Sequence, residues 1–502
     1  MKELSKKKLL IFIVAYNAEN HIENVLNRIP SKVLSDYDYE ILIIDDSSID
    51  KTFEIAQNYH KINSELNLKI LYNPVNQGYG GNQKLGYEYA IQNQFQAVVL
   101  LHGDGQYAPE IIDDIVSPIF KNEADAVLGS RMLVKGSALK GGMPLYKYFG
   151  NKILTGLQNK ILGSSLSEFH SGYRAYSIKT LQDIPFRRNS NDFHFDTQII
   201  IQLLLANRNI KEINIPTYYG DEICNVNGIK YGINVLRSSL GSRLHNLSIL
   251  YKREFDISTP MQLYPLKLGY LSSHTLAIRN VPDNSSVIDI GGGQGLIALE
   301  LKKKGCLVTG MDQCDLQNTN YYNEFHQADI DRASLDFDFN KFDVILMLDI
   351  IEHLSNPEEF LDNLRAKSGL NQPKIIVTSP NIAFWIIRVQ LLFGQFNYGK
   401  QGVLDKTHKR LFTFKTMKKI FAQCGFEVLK VTGIPAPYPK ALGINFISRF
   451  LIEINRWLIW ISKSFFSYQI YMEVKPLPVV EVLLDYSVIE SKKRKETLAQ
   501  NF

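Results

Sequence analysis

Cysteine is scarce in this chain: Cys224, Cys306, Cys314 and Cys424 are the only four among 502 residues, and no two have the spacing of paired ligands. That excludes a disulfide framework and a zinc module, and it fits a reducing compartment. Long apolar runs are missing as well. No stretch reaches the roughly 18 uninterrupted apolar residues of a membrane span. The opening "MKELSKKKLLIFIVAYNAEN" has a basic start and a short apolar run but no small-residue cleavage site, so it reads as a first buried strand. Charge of one sign is also in short supply. A net charge of +5 gives no electrostatic case for nucleic acid, although a local basic patch still suits an anionic membrane surface or a phosphorylated substrate. There is no short-period repeat. What remains is ordinary globular composition, 45% hydrophobic and 21% charged, over a length that holds two or three domains.

In the first half, "LLIFIVAY", "YEILIIDD", "LKILYN", "QAVVLLHG" and "ADAVLGS" alternate with helical patterns such as "IDKTFEIAQNYH". This alternation predicts a parallel sheet covered on both faces, with ligands at the carboxyl ends of its strands. The polar punctuation falls there: Tyr16 and Asn17, then Asp45 and Asp46, then "HGDGQ" at 102–106. His102, Asp104 and Gln106 stand at alternate positions, so on an extended chain they share one face. Gly103 and Gly105 let a ligand approach the backbone, and Pro109 with Glu110 opens a helix. A metal or phosphate site and an ordinary strand-to-helix turn both fit these residues.

Taken in order, "VAYNAENHIENVL", "YEILIIDDSSIDKT", "NQGYGGNQKLGYEYA", "HGDGQYAPE", "GSR" and "HSGYRAYS" resemble family 2 glycosyltransferases of the dolichyl-phosphate mannose synthase-like group, over about residues 8–240. The resemblance implies a GT-A nucleotide-binding fold, a divalent cation (Mg²⁺ or Mn²⁺) and inverting sugar transfer. The nucleotide-sugar set it implies is Val14, Tyr16, Ile44, Asp45, Asp46, Gly103 and Lys230, with Asp104, Gln106 and His102 at the metal. Arg131 and Arg174 are the matching basic residues for phosphate. The chain departs from the pattern at Val14, where the family has proline, at Ala18, where it has glutamate, and at His102, where it has its first metal aspartate. Imidazole suits Mn²⁺ better than Mg²⁺, so His102 either biases the metal or supports it from outside the coordination sphere. A sugar-hydroxyl acceptor requires a general base, for which Asp196 is the candidate beside its reading as a capping residue; a phosphate acceptor requires none.

The second half opens a new cycle with "SSVIDIGGGQGLIALELKKKGCLVTGMDQCD". Gly291, Gly293 and Gly295 follow an apolar strand and precede a helix, Asp289 lies just before them, and Asp312 ends the next strand where an acidic group meets a ribose. The G-x-G-x-G spacing disfavours a nicotinamide oxidoreductase. These residues, with "QADIDR", "FDVILMLDIIEHLSNPEEFLDNL" and "PKIIVTSPN", look like class I S-adenosylmethionine-dependent methyltransferases, over about residues 284–435. The implied cofactor set is Asp289, Gly291, Gly293, Gly295, Asp312, Asp329 and Asp349. His353 and His408, the latter in "LDKTHKR", are candidate bases, with a structural histidine as the plainer reading of each.

Near the C-terminus, "INFISRFLIEINRWLIWISKSFF" gathers Arg449, Glu453, Arg456 and Lys463 within a quarter-turn of helix surface, opposite Ile, Leu, Phe and Trp. Such a helix suits a bilayer interface through Trp457 and Trp460, or docking on its own domain or a second subunit. The tail "ESKKRKETLAQNF" reads as a solvated, disordered end. The expected architecture is α/β, with two doubly wound Rossmann-like domains: a glycosyltransferase domain at 1–240, a linker at 241–283, a methyltransferase domain at 284–440 and an amphipathic helical extension at 441–502. The expected function is sugar transfer from a nucleotide sugar to a glycan or polyprenyl-phosphate acceptor plus methyl transfer, in cell-surface glycan or glycolipid synthesis. The expected place is the cytoplasm, with peripheral contact at the membrane face. Two rivals are a polyprenyl-phosphate hexosyltransferase with an unrelated methylating half, and a scaffold in which one half only binds its ligand.

Overall fold

A computed structural model describes residues 6–217, 227–247, 249–257, 266–313, 321–331 and 337–500, apart from the side chains of 441 and 495–500. Cys224 and Cys314 lie outside these residues. The chain divides into two compact units, Met1–Asn246 with Lys252–Gln262, and Leu247–Tyr251 with Leu263–Phe502.

The first unit is built on β1 (Lys8–Ala15), β2 (Asp38–Asp45), β3 (Leu68–Tyr72), β4 (Ala97–His102), β5 (Ala126–Ser130), β6 (Arg174–Ser177) and β7 (Ile210–Asn214). Their order across the sheet is β3-β2-β1-β4-β6-β5-β7. Along β1, Leu9, Ile11, Ile13 and Ala15 enter one apolar cluster while Leu10, Phe12 and Val14 enter another. Both faces of the sheet are therefore buried, which is why its strands read as unbroken apolar runs. The expectation of an all-parallel sheet is corrected at β6, which pairs antiparallel with both β4 and β5. Its four residues, "RAYS", are too few to show a strand pattern.

The second unit has β8 (Ser286–Ile290), β9 (Leu307–Asp312), β10 (Glu324–Gln327), β11 (Val344–Leu348), β12 (Lys374–Pro380), β13 (Phe426–Ile434) and β14 (Gln469–Pro476), in the order β10-β9-β8-β11-β12-β14-β13. Along β11, Ile345 and Met347 face one core and Val344 and Leu346 the other. Both units are thus doubly wound, Rossmann-like layers.

The domain limits change at both ends of this unit. β14 lies inside the stretch expected to be a helical extension, yet it pairs antiparallel with β12 and β13 in mid-sheet. Helix Ser273–Asn280, placed in the linker by sequence, starts with a capping box and buries Ala277 in the core of the unit.

The amphipathic segment is helical over Phe446–Ile461, and its inward face is Ser448, Ile452, Asn455 and Ile459. Asn455 accepts from the Ala436 amide (2.9 Å) and donates to the Phe466 carbonyl (2.9 Å), which docks the helix on its own unit. Phe446, Phe450, Trp457 and Trp460 remain exposed. The tail expected to be disordered is helical over Val480–Gln500.

Candidate functional site

In the first unit the carboxyl ends of β1, β2 and β4 bring most of the expected residues to one edge. Val14 and Ile44 are register partners in neighbouring strands, and His102 pairs with Val14 from the other side. Tyr16 is exposed just past β1. Asp45 is fully buried; its Oδ1 accepts from the Ser48 amide (2.8 Å) and its Oδ2 has no partner. Burial raises its pKa. Asp46 accepts from Asn73 (2.7 Å) and from the Gln77 amide (2.8 Å), so the loop after β3 is tied to the end of β2. Gly103 donates to the Val14 carbonyl. Asp104 accepts from the Gln106 amide (3.0 Å), which closes the 102–106 turn and leaves its side chain at the partly open edge.

His102 is held from behind. Its Nε2 is 3.1 Å from the Tyr79 hydroxyl, and Tyr79 donates to Asp196 Oδ2 at 3.0 Å. A hydroxyl has one proton, so the imidazole donates at Nε2 and keeps its lone pair at Nδ1. Burial presses the ring toward the neutral form. Gly172 closes over it: a Cβ there would meet the His102 ring at 2.6 Å.

Three of the expected residues are engaged by partners of their own. Arg174 is fully buried, with its guanidinium donating to the carbonyls of Ser171, Asp196 and Phe169 and lying 3.5 Å from Asp196 Oδ2. It reaches no open surface and stands against Asp196. Asp196 is a buried acceptor, taking Tyr79 on one oxygen and Gln83 (3.0 Å) on the other, rather than a free base. Arg131 forms a buried pair with Glu168, which also accepts from the Arg131 amide (2.7 Å) and from Asn151 (2.7 Å). Burial would raise the Glu168 carboxyl, but Arg131 and Asn151 hold it below the usual range. Lys230 is exposed in the first turn of helix Gly228–Asn246. Sequence reasoning passed over Tyr79, Glu168 and Gly172. Tyr79 and Gly172 lie inside stretches already singled out, but nothing in a linear reading marks Glu168 as the partner of Arg131.

In the second unit Gly291, Gly293 and Gly295 all have positive φ, and the Gly293 amide donates to Asp312 Oδ2 at 2.9 Å. The loop after β8 is thereby fastened to the end of β9. Asp289, one residue before the end of β8, is buried against the Tyr322 hydroxyl (3.3 Å), and burial with Asp312 nearby raises its pKa to about 7. Asp329 caps the turn after β10 by accepting from the Asp331 amide (3.1 Å). Asp349, just past β11, has φ 57° and is held by Thr378 (2.7 Å) and by both of its oxygens on Gln469 (2.9 and 2.8 Å). His353 lies edge-to-face with His408, ring centres 4.9 Å apart.

Each unit thus gathers its expected residues at the carboxyl ends of its strands: an aspartate pair beside the 102–106 turn in the first, and a glycine loop answered by an acidic strand end in the second. Residues 10–184 match the family model described as Glycosyl transferase family 2, and residues 270–431 match the model described as Methyltransferase domain. The chain is thus a family 2 glycosyltransferase domain followed by a methyltransferase domain. The first part is 29% identical over 227 residues to a UDP-N-acetylglucosamine–dolichyl-phosphate N-acetylglucosaminyltransferase of Methanococcus voltae, covering 43% of this chain and 88% of that one. The second part is 31% identical over 137 residues to a mitochondrial ubiquinone biosynthesis O-methyltransferase of Arabidopsis thaliana, covering 23% and 41%. Among solved structures, glucosyl-3-phosphoglycerate synthase from Mycobacterium tuberculosis with uridine diphosphate aligns at 17% identity and TM-score 0.36, covering 47% of this chain and 80% of that one.

Proposed function

We propose that the first unit transfers a sugar, with inversion, from a nucleotide-diphosphate donor to a polyprenyl-phosphate acceptor, and that the second methylates a hydroxyl from S-adenosylmethionine. The observation that carries the acceptor choice is the engagement of Asp196. With its oxygens held by Tyr79 and Gln83 and Arg174 at 3.5 Å, the one candidate base is occupied. A phosphate oxygen is already a nucleophile and requires no base, whereas a sugar hydroxyl does. The Methanococcus relative, whose name specifies a dolichyl-phosphate acceptor, supports the same class.

In this reading Asp104 and Gln106 hold Mg²⁺ or Mn²⁺ and His102 offers Nδ1. A cation held there would neutralise the charge that grows on the leaving diphosphate. Val14, Tyr16, Ile44, Asp45, Asp46 and Gly103 form the nucleotide wall. Asp289, Asp312, Asp329, Asp349 and the glycines at 291, 293 and 295 hold S-adenosylmethionine.

Among the described residues no helix is long and apolar enough to cross a membrane. Peripheral contact has two supports. Helix Leu145–Leu162 exposes Leu145, Phe149, Ile153 and Leu157 at every fourth position, an apolar stripe facing solvent, and helix Phe446–Ile461 exposes Phe446, Phe450 and Trp457.

The test is nucleoside diphosphate release from a panel of nucleotide sugars, with a short polyprenyl phosphate or a polyprenol as acceptor. Release that requires the phosphate is expected. Equal release with the alcohol refutes the acceptor assignment.

A further inference from the structure

The second unit carries a basic cleft at the edge of its sheet, with β11, β12 and β14 standing between it and β8. The cleft is about 400 Å³ in volume and lies over β13, where Lys418, Lys430 and Lys463 line it together with Leu429 and Ser464. The three lysines come from three elements. Lys418 stands on the outer side of helix Phe414–Gln423, whose Phe414, Met417, Ile420 and Phe421 are buried. Lys430 follows a bulge in β13 at which Leu429 is the extra, exposed residue. Lys463 opens the short helix Lys463–Phe466 and reaches back to donate to the Val431 carbonyl (3.3 Å).

The positive charge of the cleft is only partly answered. Lys430 stands 3.4 Å from Glu473, while among the described residues Lys418 and Lys463 have no carboxylate partner. A lysine on an edge strand guards against pairing with other chains, which accounts for Lys430 alone. The lysines of the two helices do more: they extend one sign of charge around a concave wall, and such a wall focuses its field on an anion.

The cleft begins where helix Phe446–Ile461 ends. Lys463 follows that helix by two residues, and Ile459 packs on β13 at Gly433, where an added Cβ would meet the Ile459 methyl at 3.0 Å. The helix is turned the opposite way from an ordinary surface helix. Ser448 and Asn455 share its inward face, while Phe446, Phe450, Trp457 and Trp460 face solvent, Phe446 and Trp460 at 82% and 79% exposure. An aromatic face beside a basic cleft matches the layering of a bilayer surface, where hydrocarbon lies under a plane of phosphate. A second copy of this chain is a poorer match, because a twofold contact through this face would bring one basic cleft toward the other.

We propose that Lys418, Lys430 and Lys463 bind the phosphate of an anionic glycerophospholipid while the aromatic face of helix Phe446–Ile461 enters the bilayer interface. The site rests on the reading of the chain as a peripheral membrane enzyme, and it brings the methylating unit to the lipid surface by a contact of its own. A lipid-linked product of sugar transfer then stays in the plane in which the second unit works.

The test is co-sedimentation of the full chain with vesicles of phosphatidylcholine alone and of phosphatidylcholine with an equal share of phosphatidylglycerol. Binding to the mixed vesicles and not to the neutral ones is expected. The double variant Lys418→Gln with Lys463→Gln should lose about fivefold in affinity for each lysine removed. The double variant Lys302→Gln with Lys303→Gln removes the same charge at the end of helix Leu296–Lys302, which packs on β9 toward the other end of the sheet, and should bind as wild type does. Thermal unfolding that matches wild type certifies the fold of each variant; Lys418 and Lys463 are both exposed. Equal loss in the two doubles means that net charge alone is at work, and equal binding to neutral vesicles means that no phosphate is read; either overturns the inference. Binding unchanged in Lys418→Gln with Lys463→Gln overturns the site and leaves the peripheral reading to helix Leu145–Leu162, whereas a wild type that pellets with neither vesicle overturns both. A lipid-free dimer that Trp457→Ser dissolves would assign the aromatic face to a second copy and overturn the inference as well.

Discussion

Asp289 should make the second unit less stable as pH rises, the reverse of ordinary acid denaturation. The carboxyl has a pKa of about 7 in the fold against an ordinary 3.8, because burial disfavours its charged form and Asp312 adds repulsion. The unfolded chain therefore sheds this proton first. Between pH 4 and 7 the folded state binds more protons than the unfolded one, so stability falls with pH by up to about 1.4 kcal/mol per unit and levels off above 7. Over the full interval the loss is about 4 kcal/mol, an order-of-magnitude figure. Asp289→Asn removes the titration and keeps an acceptor for the Tyr322 hydroxyl. Its advantage over wild type should grow by about 3 kcal/mol between pH 4.5 and pH 8. Tryptophan fluorescence during urea unfolding reads this unit alone, because Trp385, Trp457 and Trp460, the only three in the chain, all lie in it. A wild-type minus variant difference that stays flat from pH 5 to 8 would refute the argument.

Further expectations concern the other sites. Gly172→Ala should push the His102 ring aside, costing about 1–3 kcal/mol of stability and most sugar-nucleotide turnover while leaving S-adenosylmethionine binding unchanged; unchanged turnover means the ring has no part in the site. Glu168→Gln should strand the buried Arg131 charge and destabilise the first unit by about 3–5 kcal/mol, measurable as a shift in its calorimetric transition. Asp104→Asn should abolish sugar transfer and spare S-adenosylmethionine affinity, and Asp312→Ala should do the converse; equal losses of both ligands in either variant would point to one composite site. Replacing Trp457 and Trp460 by Ser should release the chain from anionic liposomes in a sedimentation assay, and a variant that pellets like wild type would make these indoles bystanders.

Much of the fold is legible because strands buried on both faces announce themselves: "LLIFIVA" and "VILML" need no context to be read as core strands. What escapes is short or held by distant partners. β6 has four residues and owes its place to neighbours on both sides. β14 alternates as a strand should, but it follows a segment whose helix signal dominates the reading. At the sites, the aspartates and glycines stand out because spacing along one loop marks them. Arg131, Arg174 and Asp196 also stand out, yet their partners decide their surroundings, and Glu168, Tyr79 and Gln83 lie tens of residues from the side chains they engage. Charge and polarity are visible in a linear reading, but whether a guanidinium faces a ligand or three carbonyls is not. His353 and His408 show the same gap: each is conspicuous alone, and only the Lys409 and Arg410 amides, which donate to the Glu352 carbonyl, bring them together.

The position of β14 bears on the order in which the second unit can assemble. It is the last strand in the chain, but β13, which precedes it, reaches the sheet only through it. Until residues 469–476 are in place, β12 presents an unpaired edge and β13 has no neighbour to join. Closure of the sheet is therefore a long-range, late event, and such pairings are slow because the intervening loop must be ordered first. The first unit repeats the pattern, with β6 standing between β4 and the earlier β5, but its sheet is complete by Asn214 and so closes long before the second. A nascent or C-terminally clipped chain should therefore carry a finished sugar-handling half beside a methylating half whose open strand edges invite aggregation and chaperone capture.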